Sequence, residues 1–160
     1  MSALPEMRQS GRLLGIDHGM KRIGLAVSDL AWLTARELTV IKRASKTEDF
    51  AKIRHIAGEQ GAVALIVGLP VNLDAPEGAY TQADRVRTWV ERLVEAVPLP
   101  VVLWDEQLTS LDAVEIAQRQ RRRRDAPLDD LAARVMLQSY LDALRDGLAQ
   151  PPVLTTNPPE

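Results

Sequence analysis

Five carboxylates sit at the ends of apolar runs, where an α/β chain most readily builds a site. Asp17 closes residues 12–17 (RLLGID), Asp105 and Glu106 close residues 101–106 (VVLWDE), and Asp129 and Asp130 open the last amphipathic segment. Clustered carboxylates repel one another and persist only when protons or cations neutralise them. A donor set of hard oxygens with open water positions suits Mg²⁺ or Mn²⁺. Two such ions roughly 4 Å apart activate a water and stabilise the leaving oxygen in phosphodiester cleavage. Asp17 and Glu106 converge if the first and fifth strands lie near the sheet centre and point the same way, and the final helix then brings a third acid over them. Each acid also has a plain structural role. Asp17 in DHG suits a turn that binds backbone amides, Glu106 a strand-end ion pair, and Asp129 and Asp130 the positive N-terminus of a helix behind Pro127. On spacing alone both readings stand.

The elements that must position these acids are legible as apolar patterning. Residues 12–17 and 22–29 flank a Gly-containing turn, a hairpin signal, and residues 38–41 give a third strand. Residues 45–60 form a helix with a Ser45/Glu48 capping box and a stripe of Phe50, Ile53 and Ala57. Residues 63–69 (VALIVGL) are apolar throughout, as in a strand buried on both faces. After a loop at 70–78, Ala79, Ala83, Val86, Val90, Leu93 and Val97 recur at helical steps. A fifth strand covers 101–105, a helix runs from Thr109 or Ser110 to about Gln120, and a last helix runs from Pro127 to about Leu148. The order βββαβαβαα predicts a three-layer α/β domain with a mixed five-stranded sheet. Residues 1–11 and the Pro-rich residues 149–160 are expected to be flexible or loosely docked around a domain at 12–148.

Composition narrows the function classes. The 160 residues include no cysteine, which excludes disulfide scaffolds, thiol nucleophiles and Cys-ligated metal centres. No apolar run approaches the ~20 residues of a membrane span, so no membrane partner is expected. The N-terminus lacks a secretory pattern, making the cytoplasm the default location. Three Trp, two Tyr and one Phe are too few for a typical base-stacking sheet. A net charge of −2 at first argues against nucleic acid. The charge is segregated, however. Residues 8–54 carry ten basic against five acidic side chains, and residues 119–124 add five arginines. Residues 55–118 carry three basic against ten acidic, and residues 125–160 two against six.

Four segments, in order and spread over most of the chain, resemble the YqgF/RuvX family: residues 15–29 (GIDHGMKRIGLAVSD), 66–74 (IVGLPVNLD), 105–108 (DEQL) and 128–141 (LDDLAARVMLQSYL). That family is described as pre-16S rRNA nucleases or Holliday junction resolvases of RNase H-like fold. The resemblance implies a metal-dependent endonuclease using Mg²⁺ or Mn²⁺, with Asp17, Glu106 and Asp129 as catalytic and metal-binding carboxylates. Asp129 rather than Asp130 takes the acid position of the family's D-x-x-A-A pattern. The implied substrate is pre-16S rRNA at its 5′ end, or branched DNA, and the protein is expected as a monomer or weak homodimer. Two departures concern substrate grip. Gln107 replaces the arginine of the family's D-E-R-L motif, and Asp74–Ala75–Pro76 replaces a common Asp-Gly turn.

Lys21 and Arg22, after the turn that follows Asp17, are candidates for holding a phosphate, against a plain solvated hairpin. Asn72 offers an amide to a sugar or phosphate, or forms a turn. Arg119, Arg121, Arg122, Arg123 and Arg124 lie just before Asp129 and are expected to position a nucleic-acid backbone rather than read bases. His18 adjoins Asp17, but adjacent side chains of an extended segment point opposite ways, so a structural role is expected. His55 lies between apolar helix positions and is expected to be uninvolved. Two other classes compete with the nuclease. Actin/Hsp70-like ATPases and sugar kinases share a Gly-Asp-Gly hairpin but close two related domains around a nucleotide. A non-catalytic RNA-binding factor of ribosome assembly would bind without cleaving.

Overall fold

The computed structural model describes residues 11–70, 78–105 and 128–154, with residues 128–130 described by their helical backbone. The order is β1 (Arg12–His18), β2 (Arg22–Ser28), β3 (Ala35–Lys42), α1 (Lys46–Gln60), β4 (Ala62–Leu69), α2 (Gln82–Ala96), β5 (Val101–Asp105) and α3 (Leu128–Arg145). The predicted helix at 109–120 lies outside the described residues. Among those described, no helix is long and apolar enough to cross a membrane.

The five strands form one sheet in the order β3-β2-β1-β4-β5. β1 and β2 are an antiparallel hairpin, β3 pairs antiparallel with β2, and β4 and β5 run parallel to β1. Of the two conditions for convergence of Asp17 and Glu106, a central fifth strand is not met. β4, apolar at nearly every position, takes the place beside β1, and the shorter, more exposed β5 is an edge of the described sheet. The shared direction of the two strands does hold. β3 is longer than predicted because its solvent-facing Arg36 and Glu37 conceal the strand in an apolar reading.

Strand alternation divides the core in two. Leu14, Ile16, Leu65 and Val67 meet α1 and α2, with Phe50, Ile53, Val86 and Leu93 opposite them. Leu13, Ala26, Ala64 and Ile66 meet α3 through Ala133, Met136 and Leu137. Helix α1 starts at Ser45, whose hydroxyl accepts from Glu48 N at 3.1 Å. The Glu48 carboxylate meets the Ser45 hydroxyl at 3.2 Å, so the expected box closes side chain to side chain. Helix α2 begins later than its apolar stripe suggests, because Thr81 and Asp84 form a full capping box that leaves Ala79 outside the helix. Hydrogen bonds from the Thr81 amide and hydroxyl hold the Asp84 carboxyl below its ordinary pKa.

Residues 149–154 are docked on the fold, and the rest of the expected loose tail lies outside the described residues. Gly147, at φ +75, ends the helix, and Tyr140 donates its hydroxyl to Gln150 O at 2.6 Å. Pro152 is buried, and Ala149 and Leu154 pack on the α3 side of the core. Proline needs no hydrogen-bond acceptor of its own, so this stretch can lie along an apolar helix surface.

Gly15 governs how near α3 comes to the sheet. A Cβ there would stand 2.9 Å from Leu137 Cβ, closer than carbon atoms tolerate. We expect Gly15→Ala to push the helix off β1 and to lower stability by about 1–3 kcal/mol in urea titrations. Gly58→Ala makes the opposite prediction. That glycine lies within α1 with open space around its missing Cβ, and the substitution should stabilise by about 0.5–1 kcal/mol.

Candidate functional site

The C-terminal ends of β1, β4 and β5 share one edge of the sheet, because all three strands are parallel. Asp17 stands at this edge, half-buried, one residue before the end of β1. Its cross-strand partner on β2 is Gly24. On the other side Ile16 pairs with Val67, so the next residue of β4, Gly68, is level with Asp17. The carboxylate position therefore has a glycine on each neighbouring strand. Those two flanking positions therefore place no side chain of their own beside it. Alternation from Leu13 and Gly15, both packed on α3, gives Asp17 the α3 face of the sheet.

α3 runs antiparallel to β1. Gln138 accepts from Ala35 N at 2.8 Å and donates to Leu33 O at 3.0 Å, whereas Arg134, one turn earlier, meets Glu37 further along β3 at 3.4 Å. The helix start thus points to the edge that carries Asp17. Asp129 lies in the first turn of α3, four and eight residues before Ala133 and Leu137, which pack on the sheet. Asp130 shares that turn. Asp105 ends β5, exposed, and alternation from Val102 and Trp104 gives it the face opposite Asp17. Glu106, Gln107, Asn72, Arg119, Arg121, Arg122, Arg123 and Arg124 lie outside the described residues. Among the described residues no three His, Asp or Glu side chains gather to hold a metal ion.

His18 is separated from Asp17 by the strand pleat. It is buried on the α1/α2 face with its ring centroid 4.6 Å from that of Trp89, which in turn lies 5.4 Å from Phe50. Neither ring nitrogen makes a well-formed hydrogen bond among the described residues. Burial, aided by the Arg43 charge, pushes the imidazole down to about 4, so it is neutral near pH 7. It packs, and does not share Asp17's side of the sheet. His55 is exposed and meets Glu59 one helical turn on at 3.4 Å, an ordinary surface pair.

The far end of the 15–29 motif serves the fold. Ser28 Oγ accepts from Leu13 N at 2.8 Å, and Asp29 Oδ1 accepts from Leu33 N and Thr34 N at 2.7 and 3.1 Å. These bonds frame a turn in which buried Trp32 takes φ +60 and donates its indole N–H to Gly11 O at 2.9 Å. A non-glycine residue holds that left-handed conformation only where its surroundings fix it.

Lys21 and Arg22 are exposed at the tip of the β1–β2 hairpin. They line an open concavity of about 460 Å³ together with Met20, Lys42, Arg43 and Ala44. Lys42 and Arg43 escape a motif-based reading. Lys42 ends β3 and Arg43 follows it, and only the antiparallel return of β3 along β2 brings them to the hairpin tip. Arg43 Nη1 donates to Gly19 O and Met20 O, both at 3.1 Å.

Comparison with known proteins agrees with this architecture. A family profile described as RuvX, Holliday junction resolvase, matches residues 11–143. A protein of Thermoanaerobacter pseudethanolicus named as a candidate pre-16S rRNA nuclease is 42% identical over 139 residues, covering 84% of this chain and 99% of that protein. One of Cereibacter sphaeroides with the same name is 40% identical over 147 residues, covering 90% of this chain and 89% of its own. The structure of Thermus thermophilus RuvC in complex with Holliday junction substrate superposes with a TM-score of 0.61 at 19% identity, over 89% of this chain and 99% of that one. The likeness to RuvC confirms the RNase H-like fold that the family resemblance implies. With the profile spanning nearly all the described fold and relatives at about 40% identity over most of its length, the chain belongs to the RuvX family.

Proposed function

We propose that this chain is a divalent-metal-dependent endonuclease that trims the 5′ end of pre-16S rRNA in the cytoplasm, with Asp17, Glu106 and Asp129 as its metal-holding carboxylates. One observation carries the reading. Asp17 stands half-buried at the common edge of three parallel strands, between glycines, on the face towards which the first turn of α3 points. The names of the relatives favour the rRNA substrate. Asp105 takes the face opposite Asp17, and the family resemblance assigns the role to Glu106 instead.

The donors assigned are hard carboxylate oxygens, with no thiolate or neutral imidazole on that face, so they fit Mg²⁺ or Mn²⁺. Such ions, if bound, would activate a water and offset phosphate charge, and the family resemblance implies 5′-phosphate and 3′-hydroxyl ends. The chain's own residues do the rest. Gly24 and Gly68 leave lateral room for a phosphodiester beside Asp17. Lys21 and Arg22 hold phosphate oxygens next to that room, and Asn72 contacts the sugar–phosphate chain. Arg121, Arg122, Arg123 and Arg124 fix the backbone without reading sequence.

Branched DNA is the second reading, favoured by the family's description as a resolvase. Wild type and Asp17→Asn, compared on a 5′-extended 16S precursor and on a four-way DNA junction with Mg²⁺ and with Mn²⁺, decide between them. We expect Asp17→Asn to lose at least about 100-fold in cleavage with an unchanged circular dichroism spectrum. His18→Phe should retain cleavage and match or exceed wild-type stability, since it keeps the ring and removes two unpaired nitrogens. Full cleavage by Asp17→Asn refutes the carboxylate mechanism. Binding without cleavage of either substrate by wild type indicates a non-catalytic assembly factor. Replacing Arg121, Arg122, Arg123 and Arg124 by Ala should flatten the salt dependence of binding by about 0.7 per lost single-strand phosphate contact, and an unchanged slope removes the run from the interface.

A further inference from the structure

We infer that the concavity at the tip of the β1–β2 hairpin is a second phosphate-binding site for the nucleic-acid strand, with Lys42 and Arg43 as members that no sequence motif marks. The inference rests on the nuclease reading and extends it from the carboxylates to the path of the bound strand.

Arg22 and Lys42 are direct cross-strand partners in the β2–β3 ladder, and both are exposed. Like charges placed directly opposite destabilise a sheet. Lys21 and Arg43 add two more cations around the same 460 Å³ space. Among the described residues no carboxylate forms an ion pair with any of the four. Four like charges around one hollow are eased by an anion, and phosphate oxygens are the anion that a nuclease brings.

The site is also partly preorganised. Arg43 N donates to Lys21 O at 2.9 Å, and its Nη1 grips the carbonyls of Gly19 and Met20. The guanidinium is thereby fixed at the hairpin tip, which lowers the entropy lost when an anion binds. Met20 adds an apolar wall. Its side chain is 64% exposed, with Arg85 Nη1 3.5 Å from its sulfur. A nucleotide chain has sugars and bases to lay against that wall, whereas an inorganic anion has nothing apolar to offer it.

Position ties the hollow to the carboxylate. Arg22 is two residues along β2 from Gly24, the partner of Asp17, so it shares Asp17's face of the sheet. Strand spacing puts its Cα roughly 8 Å from that of Asp17, and Lys42, one strand further, roughly 12 Å away. The phosphates held here are therefore close neighbours, along the same strand, of one at Asp17.

Binding is measured in the Asp17→Asn background by fluorescence anisotropy of a labelled 12-nucleotide single-stranded RNA and a labelled four-way DNA junction, from 50 to 300 mM KCl. For Arg22→Ala/Lys42→Ala the slope of log K against log salt should fall by about 1.4 on RNA, two contacts' worth, with at least tenfold weaker binding at 100 mM. Lys42→Arg should keep the wild-type slope. In cleavage by the otherwise wild-type enzyme, the double variant should raise KM about tenfold and leave kcat within twofold. An unchanged slope in the folded double variant overturns the inference, as does a loss confined to kcat. If Asp17→Asn still cleaves, the carboxylate assignment fails, yet the anisotropy slopes continue to judge this site on their own.

Discussion

The seating of α3 on β1 is the contact on which the rest depends. Gly15 has no side chain, so Leu137 lies directly on the strand backbone, and the helix is drawn as close as packing allows. Because the helix runs antiparallel to β1, that contact aims its first turn at the edge where Asp17 stands. A bulkier residue at position 15 would lift α3 and widen the space above the carboxylate without touching it. Stability and site geometry are set by the same few ångströms, as expected for a site that must hold its groups within about 0.5 Å of a working arrangement.

The strand pleat then sorts the side chains around that edge by task. Asp17 and His18 are neighbours in sequence, yet one faces the α3 layer and the other is stacked on Trp89 in the opposite core. The buried imidazole is neutral, so it lends the carboxylate neither charge nor proton near pH 7. Arg22 returns to the Asp17 face because it is an even number of residues from Gly24. A single hairpin thus carries an acid, a packing ring and a cation pair, each on the face its chemistry requires.

How much of this was legible in the sequence depends on whether a feature is local. Apolar runs and terminal acids mark β1, β4, β5 and the start of α3 closely, and the mark is clearest in β4, whose burial on both faces requires apolar residues almost throughout. Alternation alone set His18 apart from Asp17. Strand neighbours were not local. Nothing in residues 101–105 says that β4 will stand between β5 and β1. Lys42 and Arg43 were invisible for the same reason, since they reach Lys21 and Arg22 only through the β2–β3 pairing. Trp89 escaped the α2 stripe although it is buried, because the stripe followed aliphatic steps and passed it by. The packed stretch at 149–154 was masked by its prolines, which bar regular structure but not docking.

The net charge of −2 is resolved by this geometry rather than by composition. Screening confines surface electrostatics to roughly 8–10 Å at physiological salt, so a phosphate responds to the groups beside it and not to the sum over 160 residues. The described cations that face one another, Arg22 and Lys42 with Lys21 and Arg43, occupy the same sheet edge as Asp17. Acids such as Glu91, Glu95, Asp142 and Asp146 ride on exposed or half-exposed helix surface and the turn after α3, away from that hollow. A near-neutral chain can therefore present a basic hollow beside its carboxylates. What decides whether it binds a polyanion is which strand ends the fold collects, and here the antiparallel return of β3 collects the basic ones.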